Sequence, residues 1–247
     1  MLSLGIDLAS QATTTAACAV EWDSGSGQVL ALETGLDDVA LLDRQFRATV
    51  TGIDAPFGWP LPFTDLITRH HAGVPQVPIE RWTPKWRDQL RFRCTDHHVK
   101  TILGRWPLSV SSDLIAIVAL RCAGLLDQMG ITDRSGEGSV VEVYPVLALK
   151  RWGLPSRGYK GADGAVIRST LVGTVQRACP ALRIGASEMA LCRRSDHAFD
   201  ALVASLVARA AFLQLTEPPT SKQVEAARAE GWIVIPRADA LGHLTDQ

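Results

Sequence analysis

The chain has 247 residues, 47% of them hydrophobic, and its 25 Lys/Arg against 26 Asp/Glu leave a net charge of −1. That length suits one large α/β domain with an ample core, and near-neutrality excludes a protein that coats nucleic acid by bulk positive charge. No apolar run approaches the roughly 18–20 residues that cross a bilayer, no secretory signal is read at the N-terminus, and five scattered cysteines without C-x-x-C spacing point to reduced thiols in a cytoplasmic protein.

Residues 2–8 alternate Leu4, Ile6 and Leu8 with Ser3, Gly5 and Asp7, a strand pattern. Residues 13–22 are rich in alanine and β-branched side chains, 23–27 read as a turn, and 28–33 return antiparallel, which makes a three-stranded meander. Residues 37–48 space Val39, Leu41, Leu42 and Phe46 as a helix, and 49–55 form the next strand. A helical crossover leads into that strand, so it is expected to run parallel to an earlier one. Residues 56–107 differ: they hold seven of the thirteen prolines and four of the seven tryptophans. They read as an insertion or lid.

Further along, 112–129 read as an apolar helix, 139–144 as a strand, 158–164 as a glycine-rich basic loop and 165–179 as a helix. Ser195 is placed to cap a long helix reaching about residue 215, which Pro218-Pro219 ends; 222–230 suit a short amphipathic helix and 232–235 an edge strand. Without repeats or a low-complexity linker, residues 1–247 are expected to form a single domain. The order of elements predicts an RNase H-like mixed sheet, an antiparallel meander plus parallel strands, flanked by helices and carrying an insertion around 56–107. In that order the fourth strand lies beside the first, about 4.8 Å away and parallel to it.

The candidate chemistry follows from that placement. Gly5-Ile-Asp7 and Gly52-Ile-Asp54 end their strands alike, so both carboxylates are expected on one side of the sheet. Glu142 stands between valines on its strand and shares a face with Tyr144. Asp196 and Asp200 lie four apart on one helical face, and the stripe continues through Val203 and Val207, so Asp200 points at the sheet. Acids gathered at strand ends hold divalent metal ions for chemistry on phosphate esters. Each also has a structural explanation: turn capping for Asp7 and Asp54, an ion pair with Lys150 or Arg151 for Glu142, and the helix dipole for Asp196. Residues 80–105 hold seven Lys/Arg against three acids and 150–168 five against one, segments suited to an anion or to a solvated face. There Arg93 and Asp96 suit a phosphate contact or an ion pair. No P-loop, serine-hydrolase elbow or zinc spacing occurs.

Gly5-Ile-Asp7-Leu-Ala9, Gly52-Ile-Asp54-Ala-Pro56-Phe-Gly58, Arg93-x-Thr95-Asp96, Val141-Glu142-Val-Tyr144-Pro145, Gly158-Tyr-Lys160-Gly161 and Asp196-x-x-x-Asp200-Ala-Leu together resemble domain-of-unknown-function family 429. That family is described as predicted nucleases of RNase H-like fold, and the resemblance runs from Leu4 to Pro236. His197-x-x-Asp200-Ala is also similar to the last helix of Holliday-junction resolvases. The expected function is a metal-dependent nuclease acting on DNA or RNA. Asp7, Asp54, Glu142 and Asp200 are its catalytic acids, and these four with Asp196 are its ligands for Mg²⁺ or Mn²⁺. Arg93, Asp96, Tyr144, Arg157 and Lys160 are its substrate contacts. Two other readings stay open: an actin-like kinase or ATPase, and a non-catalytic nucleic-acid-binding module.

Overall fold

The fold is seen in a computed structural model, which describes residues 1–74 and 78–246. In chain order, β1 (Leu2–Asp7), β2 (Ala16–Asp23) and β3 (Ser26–Thr34) precede α1 (Asp38–Arg47) and β4 (Val50–Asp54). Then come α2 (Leu61–His71), α3 (Pro84–Arg91), α4 (Cys94–Leu103) and α5 (Ile115–Gln128). The rest is β5 (Val140–Glu142), α6 (Pro145–Arg151), α7 (Ala165–Ala178), β6 (Leu182–Arg183), α8 (Ala186–Arg194), α9 (Asp196–Phe212), β7 (Thr216–Glu217), α10 (Val224–Glu230) and β8 (Ile235–Pro236). Among the described residues the main sheet has six strands, in the order β5-β4-β1-β2-β3-β6. β1, β2 and β3 are the antiparallel meander, while β4 runs parallel to β1 and β5 parallel to β4. This is the expected RNase H-like arrangement.

The second strand starts later than its composition suggests. Residues 12–14 form a 3₁₀ turn, and the Thr15 hydroxyl donates to the Gln11 carbonyl at 2.9 Å, a local bond that competes with the ladder. β5 stops at Glu142 because Tyr144 is the N-cap of α6 and Pro145 its first residue. The expected edge strand at 232–235 is divided: Ile233 bridges Glu142, and Ile235–Pro236 pairs with β7.

The chain folds into two compact units. One comprises Met1–Ala55, Gly136–Pro218 and Ile233–Gln247, and the other Pro56–Ser135 and Pro219–Trp232. The proline- and tryptophan-rich insert thus extends through α5 and takes in α10.

In the first unit, α9 packs across β1, β2 and β4. Gly5 and Gly52 permit this: a Cβ on Gly5 would lie 2.1 Å from the Ala201 carbonyl oxygen, and one on Gly52 would lie 2.6 Å from that of Ala204. The helix answers with alanines at 198, 201, 204 and 208, all buried. The two elements also keep step. Two strand residues advance about 6.6 Å and four helix residues about 6 Å, so Ser3 meets Ser205 at 2.8 Å, Gly5 meets Ala201, and Asp7 meets His197.

In the second unit, Glu230 on α10 is buried and joins two helix starts. Its Oε1 accepts from the Leu61 N–H at 2.8 Å and its Oε2 from the Cys94 N–H at 2.7 Å. Both donors are first-turn groups without helical partners, at ends that favour negative charge.

Candidate metal centre

Asp7 and Asp54 are the last residues of β1 and β4 and stand opposite each other in the parallel register. Asp200, on the buried face of α9, joins them. One oxygen from each of the three carboxylates lies within 4.8 Å of the others. Asp7 and Asp200 are buried, and Asp54 keeps partial contact with solvent. Three acids gathered away from water repel one another, and each loses hydration.

Three side chains answer that charge. Lys160 places Nζ 2.8 Å from Asp200 Oδ2, and the buried Tyr159 hydroxyl donates to Asp200 Oδ1 at 2.9 Å. His197 Nδ1 lies 2.5 Å from Asp7 Oδ2. Tyr159 and Lys160 reach Asp200 because their loop is bracketed by glycines with positive φ: Gly158 at 72° and Gly161 at 74°. Buried Arg168 anchors this loop, donating to the Tyr159 carbonyl at 2.5 Å and the Gly161 carbonyl at 2.7 Å. It also donates to the carbonyls of Arg193 and Arg194 at the end of α8. Gly164 completes the fit, since a Cβ there would lie 2.2 Å from the Tyr159 carbonyl oxygen.

Electrostatics follow the crowding. Burial, opposed by Lys160 and reinforced by Asp7, raises the Asp200 carboxyl to about 6. Burial likewise holds Asp54 well above the usual carboxylate range, with Lys160 opposing and Asp7 and Asp200 adding to the rise. The hydrogen bond to Asp7 raises the His197 ring. Burial would lower Lys160, but Asp200 and Asp54 outweigh it and keep the ammonium charged. Burial and Asp200 push the Tyr159 hydroxyl up, so it remains a donor.

The cluster joins three of the expected acids, Asp7, Asp54 and Asp200. Glu142 is a correction. It pairs with Ile53, not Asp54, so alternation sends its side chain to the sheet face opposite α9. It is buried there and lies outside the carboxylate group. Asp196 also lies outside it. Its Oδ2 accepts from the Gly161 N–H at 2.9 Å; burial works against its charge, but that donor and His197 hold its carboxyl low. Asp196 thus ties the glycine loop to the start of α9.

Arg93 and Asp96 form a buried ion pair at 3.1 Å that caps α4, and Arg93 Nη1 also donates to the Glu230 carbonyl. Their place is the core of the second unit, which replaces the expected phosphate contact. Lys160, expected to touch substrate, meets Asp200 directly. Arg157 is an exposed residue of the same loop, and Tyr144 caps α6. Two contributors escape sequence reasoning, Tyr159 and His197. The His197-x-x-Asp200 spacing carried the signal for the second, because residues three apart share a helical face.

The donor set suits a hard cation. All three ligands offer carboxylate oxygen, which magnesium and manganese prefer. Three carboxylates face a single ammonium, that of Lys160, and a divalent ion bound among them would offset the excess of negative charge. The five cysteines are free thiols. Among the described residues no helix is long and apolar enough to cross a membrane.

A family model described as "Protein of unknown function (DUF429)" matches residues 5–221, a span that contains the whole carboxylate group. No curated protein and no solved structure gives a significant match.

Proposed function

The chain belongs to the DUF429 family, and from its carboxylate cluster we propose a metal-dependent nuclease that hydrolyses phosphodiester bonds. One observation carries the reading: Asp7, Asp54 and Asp200 arrive from two parallel strands and a helix with oxygens within 4.8 Å of one another. Such convergence has a folding cost unless a cation or proton relieves it. These three residues would hold Mg²⁺ or Mn²⁺, and a bound ion of that kind activates water and offsets charge on a phosphoryl oxygen.

The neighbouring side chains support the same chemistry. Tyr159 orients Asp200 by occupying its Oδ1. The Lys160 side chain is 51% exposed while its ammonium touches the cluster, so it can meet a phosphate oxygen that enters from solvent. Arg157 offers a second cation on the same loop. His197 holds its Nδ1 on Asp7 and its ring is 39% exposed, so Nε2 is the atom through which it exchanges a proton with water.

The test is a cleavage panel of single- and double-stranded DNA, RNA, hybrid and branched substrates with Mg²⁺, Mn²⁺ or EDTA. Cleavage that needs metal and disappears in Asp7→Asn is expected. Metal binding without cleavage of any substrate, or turnover of ATP instead, overturns the nuclease assignment.

A further inference from the structure

We propose that residues 81–91 of the second unit form a docking ridge for unpaired nucleic acid, with Trp82 as a base-stacking platform and Arg87 and Arg91 as phosphate contacts. The choice of ligand rests on the nuclease reading, whereas the ridge itself rests on exposure, charge and side-chain type.

These eleven residues hold four Lys/Arg and a single acid, Asp88, in a chain whose net charge is −1. All four cations are exposed. The fold turns them outward. Thr83 caps α3 by accepting from the Trp86 N–H at 3.2 Å, Pro84 fixes its first turn, and Leu90 is its buried residue. Arg87 and Arg91, four apart, then share an outer face. With Pro84 and Asp88 they line an open groove of ≈ 340 Å³. Asp88 does not cancel this charge. Its contact with Arg91 is long, at 3.7 Å, between side chains that are both nearly half exposed, and such pairs are weak in water.

Trp82 supplies what charge alone lacks. The residue is 40% exposed, and the Trp86 ring packs against its ring at 4.7 Å between centroids and 62° between planes. That contact fixes the ring while leaving part of it open. A base stacks on such a surface only when its own face is free, as in a single strand, a loop or an unpaired end. Three of the four cations are arginines, whose planar fork matches phosphate oxygens. An acidic peptide would use these cations but not the tryptophan.

The experiment is equilibrium binding of a labelled mixed-sequence oligonucleotide to the full chain by fluorescence anisotropy. EDTA is present throughout, so that nothing is cleaved. Trp82→Leu, which keeps an apolar side chain, is expected to weaken binding about tenfold with little change in salt dependence. The double variant Arg87→Gln/Arg91→Gln, at two exposed sites, is expected to lower the log–log salt slope by about 1.4, roughly 0.7 per lost contact. The same sequence as a duplex should bind more weakly than the single strand. Wild-type affinity in both variants overturns the ridge, as does polyglutamate competing as well as the oligonucleotide. Mn²⁺ binding measured on the same variants keeps the two ideas apart. Its absence from wild type counts against the metal centre alone, and its retention in variants that still bind oligonucleotide normally counts against the ridge alone.

Discussion

Asp7 meets an imidazole nitrogen at 2.5 Å and shares its surroundings with the carboxylates of Asp54 and Asp200. Asp7→Asn removes one crowded charge and puts a poor ligand in its place. The metal-free variant is therefore expected to melt at or above wild type near neutral pH and to lose most of the Mn²⁺-dependent rise. A variant that melts well below wild type, with no metal shift in either protein, would make Asp7 a structural hydrogen-bond partner. The pH dependence has a definite sign. The folded-state carboxyls of Asp54 and Asp200 are raised, the latter to about 6, so the folded chain holds protons that the unfolded chain releases. Metal-free stability should rise as pH falls from about 7 to about 5. His197 acts in the same direction: its pKa is raised, so its contribution is full below an unfolded value of about 6.5 and fades as pH rises through the folded one. The lowered carboxyl of Asp196 is lost only below the ordinary aspartate range, outside this window. With Mn²⁺ bound the trend should reverse, because protons then compete with the ion. Urea unfolding at three pH values, with and without Mn²⁺, measures both slopes, and parallel slopes would count against a cation at the carboxylates.

Strand ends and a helix start bring these groups together, and two glycines set the distance. Gly5→Ala would drive a Cβ to 2.1 Å from the backbone of α9. It should cost at least about 1–3 kcal/mol, the usual range for overpacking, and weaken Mn²⁺ binding by displacing Asp200. The contrasting change is Gly124→Ala in α5, where nothing lies within 4 Å of the added Cβ. It should stabilise the chain by about 0.5–1 kcal/mol. Equal effects from the two substitutions in a denaturation series would contradict close packing as the role of Gly5. The same elements show what a sequence discloses. The repeated Gly-x-Asp endings and the 196–200–203–207 stripe are local patterns, and they identify three acids that converge. Glu142 looks equivalent along the chain, but its face depends on pairing with Ile53, and strand alternation turns one step of register into the opposite side. Lys160 and Tyr159 depend on a loop path set by positive-φ glycines and by Arg168 bonds from a helix, so their aim at Asp200 is visible only in three dimensions.

The whole chain is almost neutral, yet its charges are sorted. Acids gather in the first unit at the carboxylate centre, and exposed cations gather on α3 in the second. Composition reveals the basic segment but not its exposed members. Arg93 lies within the segment and is buried with Asp96, while Arg87 and Arg91 face outward. Burial of one arginine among neighbours of identical type depends on the second unit's core, which joins α4 to the distant Glu230. The order of the sheet was legible because a meander followed by a crossover strand has few chain paths. The reach of the insert was not, because α10 returns to that unit more than a hundred residues after its other elements begin. Whether Asp7, Asp54 and Asp200 form one divalent-cation site is decided by calorimetric titration of the metal-free full chain with Mn²⁺. Uptake near one ion per chain is expected, with release of protons at pH 6 and loss of that uptake in Asp7→Asn and Asp200→Asn. Absence of uptake by the wild type, or undiminished uptake by both variants, would contradict a metal centre at these carboxylates.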